Sequence, residues 1–346
     1  MTTHRPIHCI LPPHMLKEIV ERGTTRQRAL AFQTMLASEQ TRGRREAIGG
    51  MAAVAVPAGG KRRTVYDAKH TQELPGVFAR GEGDPPTNDP AVDEAYDGAG
   101  ATYDLYHDVF ERGSIDDRGM RLDSTVHFGR EYDNAFWDGR QMVYGDGDGE
   151  LFERFTKAID VIGHELAHGV TQYEAGLVYW DQPGALNESM SDVFGSLVKQ
   201  WRLGQRADEA DWLIGAGLFT ASVHGVALRS MKAPGTAYDD PVLGKDPQPA
   251  HMRDYQDVAY DNGGVHINSG IPNHAFYLTA MEIGGYAWER AGKIWYITLR
   301  DRLRRRASFQ TAANTTYRVA GELYGPGSKE HEAVRRGWAA VGIAAK

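Results

Sequence analysis

The fold of this 346-residue chain is decided by Ile159-Asp160-Val161-Ile162-Gly163-His164-Glu165-Leu166-Ala167-His168-Gly169-Val170-Thr171. His164 and His168 are four residues apart, so on a helix both imidazoles leave the same face one turn apart. That spacing lets two ring nitrogens reach one tetrahedral metal ion, while Glu165 leans over the ion without binding it. The pattern H-E-x-x-H is typical of zinc hydrolases. Because the chain contains thirteen histidines, the pattern needs support from elsewhere in the sequence.

A third ligand follows at the right distance along the chain. Glu188 comes twenty residues after His168, and Gly176 and Pro183-Gly184 lie between them. This interval is long enough to leave one helix, turn, and begin a second helix against the first. Asp192, one turn after Glu188, can accept the free N–H of a ligating imidazole. Three protein ligands leave a fourth position for water, which is the catalytic arrangement of zinc.

Length, composition and charge exclude several classes of protein. The length predicts two lobes, and 41% hydrophobic with 25% charged residues is typical of a globular chain. The single cysteine excludes an intramolecular disulfide, and a net charge of −7 argues against a nucleic-acid partner. No apolar run approaches ~18 residues, so no membrane span is expected. Because the start of the sequence shows no signal-peptide pattern, we expect cytoplasmic synthesis and, if the protein is exported, a non-classical route. We also expect a monomer.

Residues 1–50 differ in charge from the rest of the chain. They hold eight basic and four acidic residues, so their net charge is +4 and that of the remainder is −11. After Pro12-Pro13, an apolar stripe that ends at Gly23 predicts one helix, and a second is predicted from Thr25 to near Ser38. Gly43-Arg44-Arg45 and Gly49-Gly50 suggest an exposed linker that a protease can cut. The members of the apolar stripe are Met15, Leu16, Ile19 and Val20.

The remainder divides into a β-rich and a helical half. Alternation predicts strands at 51–57 and 63–66, and 125–128 and 141–144 are also predicted as strands. Helical spacing of apolar residues predicts a helix at 93–110. From Gly184 onward helical patterns dominate, at 188–198, 271–281, 287–303, 308–324 and 330–341. We therefore expect an N-terminal lobe over 51–175 that ends with the zinc helix, and a C-terminal lobe over 176–346.

Five separated blocks resemble the thermolysin family of gluzincin metalloendopeptidases, in the family's order. They are Asn134–Gly139, Met142–Gly149, the zinc helix, Gly184–Glu188 and Asp261–Gly270. The short N-terminal segment with Pro12-Pro13-His14-Met15-Leu16 is similar to the compact propeptide of the protealysin branch. The resemblance implies an α+β, two-lobed thermolysin-like fold with a β-rich N-terminal lobe, a central zinc helix and a mainly helical C-terminal lobe, preceded by a short helical propeptide.

The resemblance also implies roles for individual residues. One catalytic zinc ion would be held by His164, His168 and Glu188, with Glu165 as general base and Asp192 behind His164. The oxyanion would be held by His266 and Tyr179, with Asp261 orienting His266. The substrate backbone would be held by Asn134, the Ala135 carbonyl and Arg229, the last on the carbonyl just after the scissile bond. The pocket for the residue after that bond would be lined by Phe152, Phe155, Val161, Ile214 and Leu228.

The activity implied is a zinc endopeptidase that cuts protein or peptide substrates on the amino side of bulky hydrophobic residues. Two alternatives remain at this stage: a gluzincin aminopeptidase, and a zinc-bound interaction protein that has lost catalysis. Intact Glu165 and His266 argue against the second.

Calcium is a separate question, because the family usually carries a double calcium site. Asp160 and Asp211 match carboxylate ligands of that site, whereas Lys199, Leu213 and Ala216 stand where the family has acids or a ligand carbonyl partner. We therefore expect the double site to be absent, with the Lys199 ammonium in its place. Asp146 and Asp148 suggest calcium too, but a glycine-rich acidic loop is more often a solvated turn.

Residues 1–50 are expected to form an autoinhibitory propeptide that the enzyme itself removes. The inhibitory residues expected are Cys9, Pro12, Pro13, His14, Met15 and Leu16. For Cys9 two interpretations stand: its thiolate binds the zinc ion, or its side chain is a small buried hydrophobe.

Overall fold

The computed structural model describes residues 8–48 and 60–346 of the chain. The strands are β1 (His8–Cys9), β2 (Arg63–Asp67), β3 (Val77–Gly81), β4 (Leu122–Val126), β5 (Ala135–Trp137), β6 (Met142–Tyr144), β7 (Leu213–Ile214), β8 (Arg229–Ser230), β9 (Asp239–Asp240) and β10 (Gly244–Lys245). The helices are α1 (Pro13–Arg22), α2 (Thr25–Ile48), α3 (Pro90–Phe110), α4 (Ile159–Tyr173), α5 (Asp181–Leu203), α6 (Asp261–Asn268), α7 (Gly270–Ile283), α8 (Ala291–Ile297), α9 (Phe309–Tyr324) and α10 (Lys329–Ala340).

The N-terminal lobe is built on a six-stranded sheet in the order β1-β5-β6-β4-β2-β3. Its three central neighbours, β6, β4 and β2, are parallel, and β5 runs antiparallel to β6. The outer strand β1 comes from the N-terminal segment and pairs antiparallel with β5, with Cys9 opposite Phe136. The N-terminal segment thus covers the free edge of β5, which would otherwise offer unpaired backbone groups to another chain.

Helices α4 and α5 form the centre of the molecule and carry the motif residues. Their close approach depends on two glycines: a methyl group added at Gly195 would collide with the Asp160 carbonyl, and one at Gly163 would lie 3.1 Å from the Gly195 Cα. Because no side chain separates the two backbones there, the next turns of the helices face each other directly. His164 on α4 and Glu188 on α5 are brought together in this way.

The two-lobed α+β fold confirms the expectation from the sequence, with some boundaries changed. Helix α2 continues to Ile48, so the prediction that Gly43-Arg44-Arg45 belongs to a linker is wrong, and these residues are helical. Good helix formers before the glycine, such as Glu39, Gln40 and Arg42, favour this continuation. The predicted strand at 51–57 lies outside the described residues. Helix α5 begins earlier than predicted, at Asp181. Among the helices of the described ranges, none combines the length and apolar character that crossing a bilayer requires.

Candidate active site

Three side chains from α4 and α5 converge on one point. His164 Nε2 lies 3.0 Å from His168 Nε2 and 3.5 Å from Glu188 Oε2, and His168 Nε2 lies 3.3 Å from Glu188 Oε1. All three side chains are at most 1% exposed. Ligands about 2.0–2.1 Å from a tetrahedral zinc ion are separated by about 3.3–3.4 Å. The separations of 3.0–3.5 Å between the two ring nitrogens and the Glu188 carboxylate oxygens are therefore close to those of zinc ligands.

The hydrogen bonds behind these residues show that a cation fits the site. His164 Nδ1 donates to Asp192 Oδ1 and His168 Nδ1 donates to Asn187 Oδ1, both at 2.8 Å. With the ring protons on Nδ1, both Nε2 atoms carry lone pairs that face each other. Glu188 Oε2, which is buried, has no hydrogen-bond partner among the described residues. Converging lone pairs and a buried carboxylate repel one another unless a positive ion lies between them.

Asp192 holds His164 in place as a charged group. Its oxygens accept from Arg229 Nε at 2.9 Å, from Arg229 Nη2 at 2.8 Å and from Asn273 Nδ2 at 2.8 Å. Burial opposes the charge on Asp192, but the Arg229 guanidinium outweighs it and lowers the pKa of the carboxyl below its usual range. The carboxylate therefore stays ionised and fixes the tautomer of His164.

Glu165 lies on the same helix but is aimed at a different partner. Its Oε2 accepts from the backbone N–H of Trp137 at 3.0 Å, and its Oε1 is buried without a hydrogen-bond partner among the described residues. Burial raises the pKa of Glu165 well above its usual value, and the nearby charge of Glu188 raises it further. A carboxyl group held by one oxygen, with the other oxygen buried and without a partner among the described residues, is suited to taking up and passing on a proton.

His266 and Tyr179 face the metal ligands from the C-terminal lobe. His266 Nδ1 lies 2.5 Å from Asp261 Oδ1, and its backbone N–H donates to Asp261 Oδ2 at 2.9 Å. This close return of the chain needs left-handed backbone at Gly263 and Gly264, with φ of 81° and 76°. Burial opposes the charge on His266, yet Asp261 and Glu188 raise its pKa to about 9. His266 is therefore a charged donor near neutral pH.

Tyr179 completes this group from the loop between α4 and α5. Its hydroxyl lies 3.2 Å from His266 Nε2 and donates to Glu188 Oε1. Tyr179 and His266 thus present two donors side by side next to the three metal ligands. This is the arrangement that the resemblance implied for holding an oxyanion.

The N-terminal segment lies across this site in extended form. Ile10 N donates to the Ala135 carbonyl at 3.1 Å, and Leu11 N donates to Asn134 Oδ1 at 3.0 Å. Arg229 Nη1 donates to the Ile10 carbonyl at 3.1 Å, and His266 Nε2 to the Cys9 carbonyl at 3.0 Å. These partners are those that the resemblance implied for a substrate backbone. The Cys9–Ile10 peptide therefore lies between His266 and Arg229.

The five residues expected to set specificity are buried side chains of the hydrophobic core. Ile10, which is 0% exposed, belongs to the same hydrophobic core as all five of them. These five residues are Phe152, Phe155, Val161, Ile214 and Leu228, none more than 1% exposed. Their assignment to an apolar pocket for Ile10 stays a prediction.

The position of Cys9 on strand β1 distinguishes between its two interpretations. Its side chain packs in a small cluster with Phe128, Phe136 and Val143. At this centre the described residues His164, His168 and Glu188 have ligand atoms within 4.8 Å of one another. Cys9 is not part of this group. The carbonyl and the side chain of a strand residue leave in different directions, and here the carbonyl faces the site. The thiol as zinc ligand is therefore not supported, and the buried hydrophobe is.

The rest of the segment anchors this contact. Pro13 opens α1, from which Met15, Leu16 and Ile19 are buried. His14 Nε2 lies 3.3 Å from the Tyr238 hydroxyl, and burial lowers the pKa of His14 to about 4. Further along, Arg26 forms ion pairs with Glu131 and Glu150 of the catalytic lobes.

Some residues at the centre could not be identified from the sequence alone. Asn187 and Ser191 both lie at His168 Nδ1, at 2.8 and 3.0 Å, and the Trp137 N–H holds Glu165. For Asn187 the sequence offers a signal, because it belongs to the same Gly184–Glu188 block as the metal ligand Glu188. A backbone N–H such as that of Trp137 carries no side-chain signal at all.

Comparisons with known proteins agree with this geometry. The family profile described as thermolysin metallopeptidase, catalytic domain, matches residues 43–172, and that described as thermolysin metallopeptidase, alpha-helical domain, matches residues 175–343. The chain is 49% identical over 346 residues to the "Extracellular metalloprotease" of Pectobacterium carotovorum subsp. carotovorum, covering 98% of this chain and 97% of the relative. It is 55% identical over 287 residues to "Protease PrtS" of Photorhabdus sp. (strain Az29), covering 82% and 77%.

A solved structure is similar over nearly the whole length. It is the precursor of protealysin, a metalloproteinase from Serratia proteamaculans, with a TM-score of 0.90 and 53% identity, covering 97% of this chain and 100% of that one. The family predicted from the sequence is confirmed: the chain belongs to the thermolysin family of zinc metalloendopeptidases, as a protealysin-like member.

Proposed function

We propose that this protein is an endopeptidase made as a proenzyme, which cuts on the amino side of bulky hydrophobic residues after its N-terminal segment has left the cleft. The observation that carries the proposal is the position of the Cys9–Ile10 peptide. It lies between His266 and Arg229 and is hydrogen-bonded to Asn134 and Ala135. The segment occupies the space that a substrate backbone needs, so the two exclude each other.

The reaction is supported by what each side chain can do. When bound by His164, His168 and Glu188, a zinc ion supplies an acidic water and polarises a carbonyl. Glu165 Oε1 accepts the proton of the attacking water and later delivers it to the leaving amine. His266 and Tyr179 donate hydrogen bonds to the negative charge that develops on the carbonyl oxygen.

The hydrogen bonds made to the N-terminal segment support one register for an extended peptide substrate. Arg229 binds the carbonyl of the residue after the scissile bond, and the Ala135 carbonyl accepts that residue's N–H. Asn134 binds the next N–H. Since Ile10 occupies this position in the N-terminal segment and is fully buried, Leu, Ile and Phe should be preferred after the bond.

The same register favours an endopeptidase over an aminopeptidase. Cys9 stands before the bond in question, and His8 continues β1 alongside Trp137 on that side. The chain therefore passes through the site instead of ending in it, whereas an aminopeptidase needs a closed pocket for a free amine. Cleavage of casein by the processed protein, abolished by a zinc chelator, would exclude both the aminopeptidase and the catalytically silent alternative.

We further propose that the enzyme removes the segment itself and acts outside the cell as a monomer on protein or peptide substrates. The relative from Pectobacterium is named an extracellular metalloprotease, which supports the location. A cut after α2, that is beyond Ile48, would separate the segment, and the contacts of β1 and α1 would then hold it without a covalent link.

The test compares wild type with Glu165→Ala during storage, by mass spectrometry and N-terminal sequencing. Wild type should shorten by about 5 kDa, roughly fifty residues of about 0.1 kDa each. Glu165→Ala should stay full length, and a trace of added processed wild type should cut it. The full-length form should hydrolyse a small peptide with Leu after the scissile bond far more slowly than the processed form. Equal rates would refute inhibition by the segment, and a product map with mainly Lys or Asp after the cut would refute the pocket.

A further inference from the structure

A second group of metal-ligating side chains lies where three neighbouring strands of the sheet end. His70, His127 and Asp146 follow the carboxyl ends of β2, β4 and β6, which are neighbouring parallel strands. Because the carboxyl ends of parallel strands meet at one edge of a sheet, residues from three distant parts of the sequence are brought together. We propose that these three side chains bind a second first-row transition-metal ion, of the Zn²⁺ class, separate from the catalytic one.

The two separations that involve Asp146 are similar to those of the catalytic centre in the same structure. Asp146 Oδ2 lies 3.3 Å from His70 Nδ1 and 3.0 Å from His127 Nδ1, and the three ligand atoms lie within 4.8 Å of one another. At the catalytic centre the corresponding separations are 3.0, 3.3 and 3.5 Å. An ion can therefore be held with side-chain shifts of a few tenths of an ångström to about an ångström.

The far side of His127 is held as a metal-binding imidazole usually is. His127 Nε2 donates to Asp89 Oδ2 at 2.9 Å, and Asp89 is itself fixed as the N-cap of α3, where its Oδ1 accepts from Ala91 N at 3.0 Å. When an ion replaces the proton on Nδ1, the Nε2 proton stays hydrogen-bonded to Asp89 and the Nδ1 lone pair is free to face the ion beside Asp146. Asp89 thus does for His127 what Asp192 does for His164 at the catalytic centre.

A competing ligand set at the same edge is less suitable. Asp67, Asp89 and His127 also have ligand atoms within 4.8 Å of one another, through the other ring nitrogen of His127. However, the Lys69 ammonium lies 2.6 Å from Asp67 Oδ2 and already compensates that carboxylate. The set with His70 has two imidazoles and one carboxylate, which favours zinc, nickel or copper over calcium.

The exposure of the site predicts a labile ion. The side chain of His70 is 55% exposed and that of Asp146 is 28% exposed, whereas the catalytic ligands are buried. Water can therefore complete the coordination and compete for the ion, so binding should be weaker than at the catalytic centre. Without an ion, the same residues form an ionic bridge in which Asp146 and Asp89 raise the pKa of His127 to about 9, and an ion must displace that proton.

The experiment measures zinc per chain on the full-length protein, with Glu165→Gln as the parent so that self-cleavage does not interfere. The parent, His70→Gln and His107→Gln are equilibrated with excess Zn²⁺ by dialysis and analysed by mass spectrometry of the metal. His107 is a matched control because it is also an exposed histidine beside a carboxylate, 57% exposed and 2.8 Å from Asp108. Titration calorimetry with Zn²⁺ on the singly loaded protein gives the affinity of the second ion.

The parent and His107→Gln should bind two zinc ions, and His70→Gln one, with the affinity for the second ion reduced at least tenfold. Both proteins should have the same Tm when only the catalytic site is loaded with zinc. Further zinc should raise the Tm of the parent and leave that of His70→Gln unchanged. Anomalous scattering at the zinc edge should place the second ion between His70 and Asp146. One ion in the parent, or a second ion that survives His70→Gln, would overturn the proposal.

Discussion

The two ends of the α4–α5 pair solve the same electrostatic problem in different ways. At one end His164, His168 and Glu188 converge with lone pairs and a carboxylate that need a cation. At the other end Asp160 and Asp211 meet the ammonium of Lys199, with Nζ–O distances of 2.7 and 2.9 Å. Lys199 also donates to the Leu213 carbonyl at 2.6 Å. One site therefore requires an ion from solution, and the other carries its cation on the chain.

The difference separates chemistry from stability. A metal ion can share a coordination position with water or substrate, whereas an ammonium whose protons are all engaged cannot. Burial opposes the charge on Lys199, but Asp160 and Asp211 outweigh it and raise its pKa. Asp160 and Asp211 thus favour the charged form of Lys199. The placement agrees with the expectation from the sequence, and the absence of calcium dependence stays a prediction.

The largest effect should come from the proton carrier at the catalytic end. Glu165→Gln should lower kcat by about 10⁴-fold with zinc still bound, since the carboxylate moves protons and is not a ligand. Activity of the processed enzyme and zinc content are measured together. Glu322→Gln, on the surface of the C-terminal lobe, serves as control and should retain both. Loss of zinc from Glu165→Gln would show instead that Glu165 is part of the metal site.

Removing the built-in cation should have the next largest effect, on stability. Lys199→Met leaves Asp160, which is 1% exposed, as an uncompensated buried charge. We expect a loss of about 3–5 kcal/mol in the free energy of unfolding, or about 4–7 °C in Tm for a chain of this size. Chemical denaturation and thermal scans measure it.

A surface pair gives the matched control for Lys199. Lys157→Met breaks an exposed pair with Glu153, at 3.5 Å, and should cost at most about 0.5 kcal/mol. The double variant Asp160→Asn with Lys199→Met should recover most of the loss. A Lys199→Met protein as stable as wild type would show that the pair contributes nothing.

The contact of the N-terminal segment with the catalytic end should respond less strongly. Ile10→Ala removes a fully buried side chain, which costs about 2–4 kcal/mol of docking, a factor of about 30 to 1000. Free segments of residues 1–48 are compared as inhibitors of the processed enzyme. Leu36→Ala, at a position that is 47% exposed, is the control and should inhibit as well as wild type. Equal inhibition by the Ile10→Ala segment would remove Ile10 from the proposed pocket.

Calcium should have the smallest effect. Because Lys199 already neutralises Asp160 and Asp211, added calcium has no acidic cage to fill, and the Tm should change by less than about 1 °C. Thermal scans with calcium and with a calcium chelator that spares zinc measure this. A rise of several degrees that is lost on Asp160→Asn would contradict the expected replacement.

The catalytic centre could be predicted because its parts lie at short, regular intervals. His164 and His168 share a helical face by their spacing alone, and Glu188 with Asp192 repeats that logic on the next helix. The blocks around Asn134 and His266 were assigned through the resemblance to a family. In the structure His266 Nε2 lies 3.5 Å from Glu188 Oε2, and Asn134 accepts from Leu11 of the N-terminal segment. The helical pattern also predicted α1 and most of the C-terminal lobe, although the end of α2 was ten residues beyond the expected one.

What the tertiary structure alone decided are the contacts between distant backbone groups. The Cys9 carbonyl accepts a hydrogen bond from His266, and this depends on the register of β1 on β5. A strand of two residues is too short to carry a side-chain pattern that would predict this register. The Trp137 N–H that holds Glu165 is a backbone group without a sequence signature. His70, His127 and Asp146 are distant in sequence and meet because three parallel strands end at one edge. Spacing along the chain determines contacts within a helix, whereas contacts across a sheet depend on strand order and register, which only the folded chain fixes.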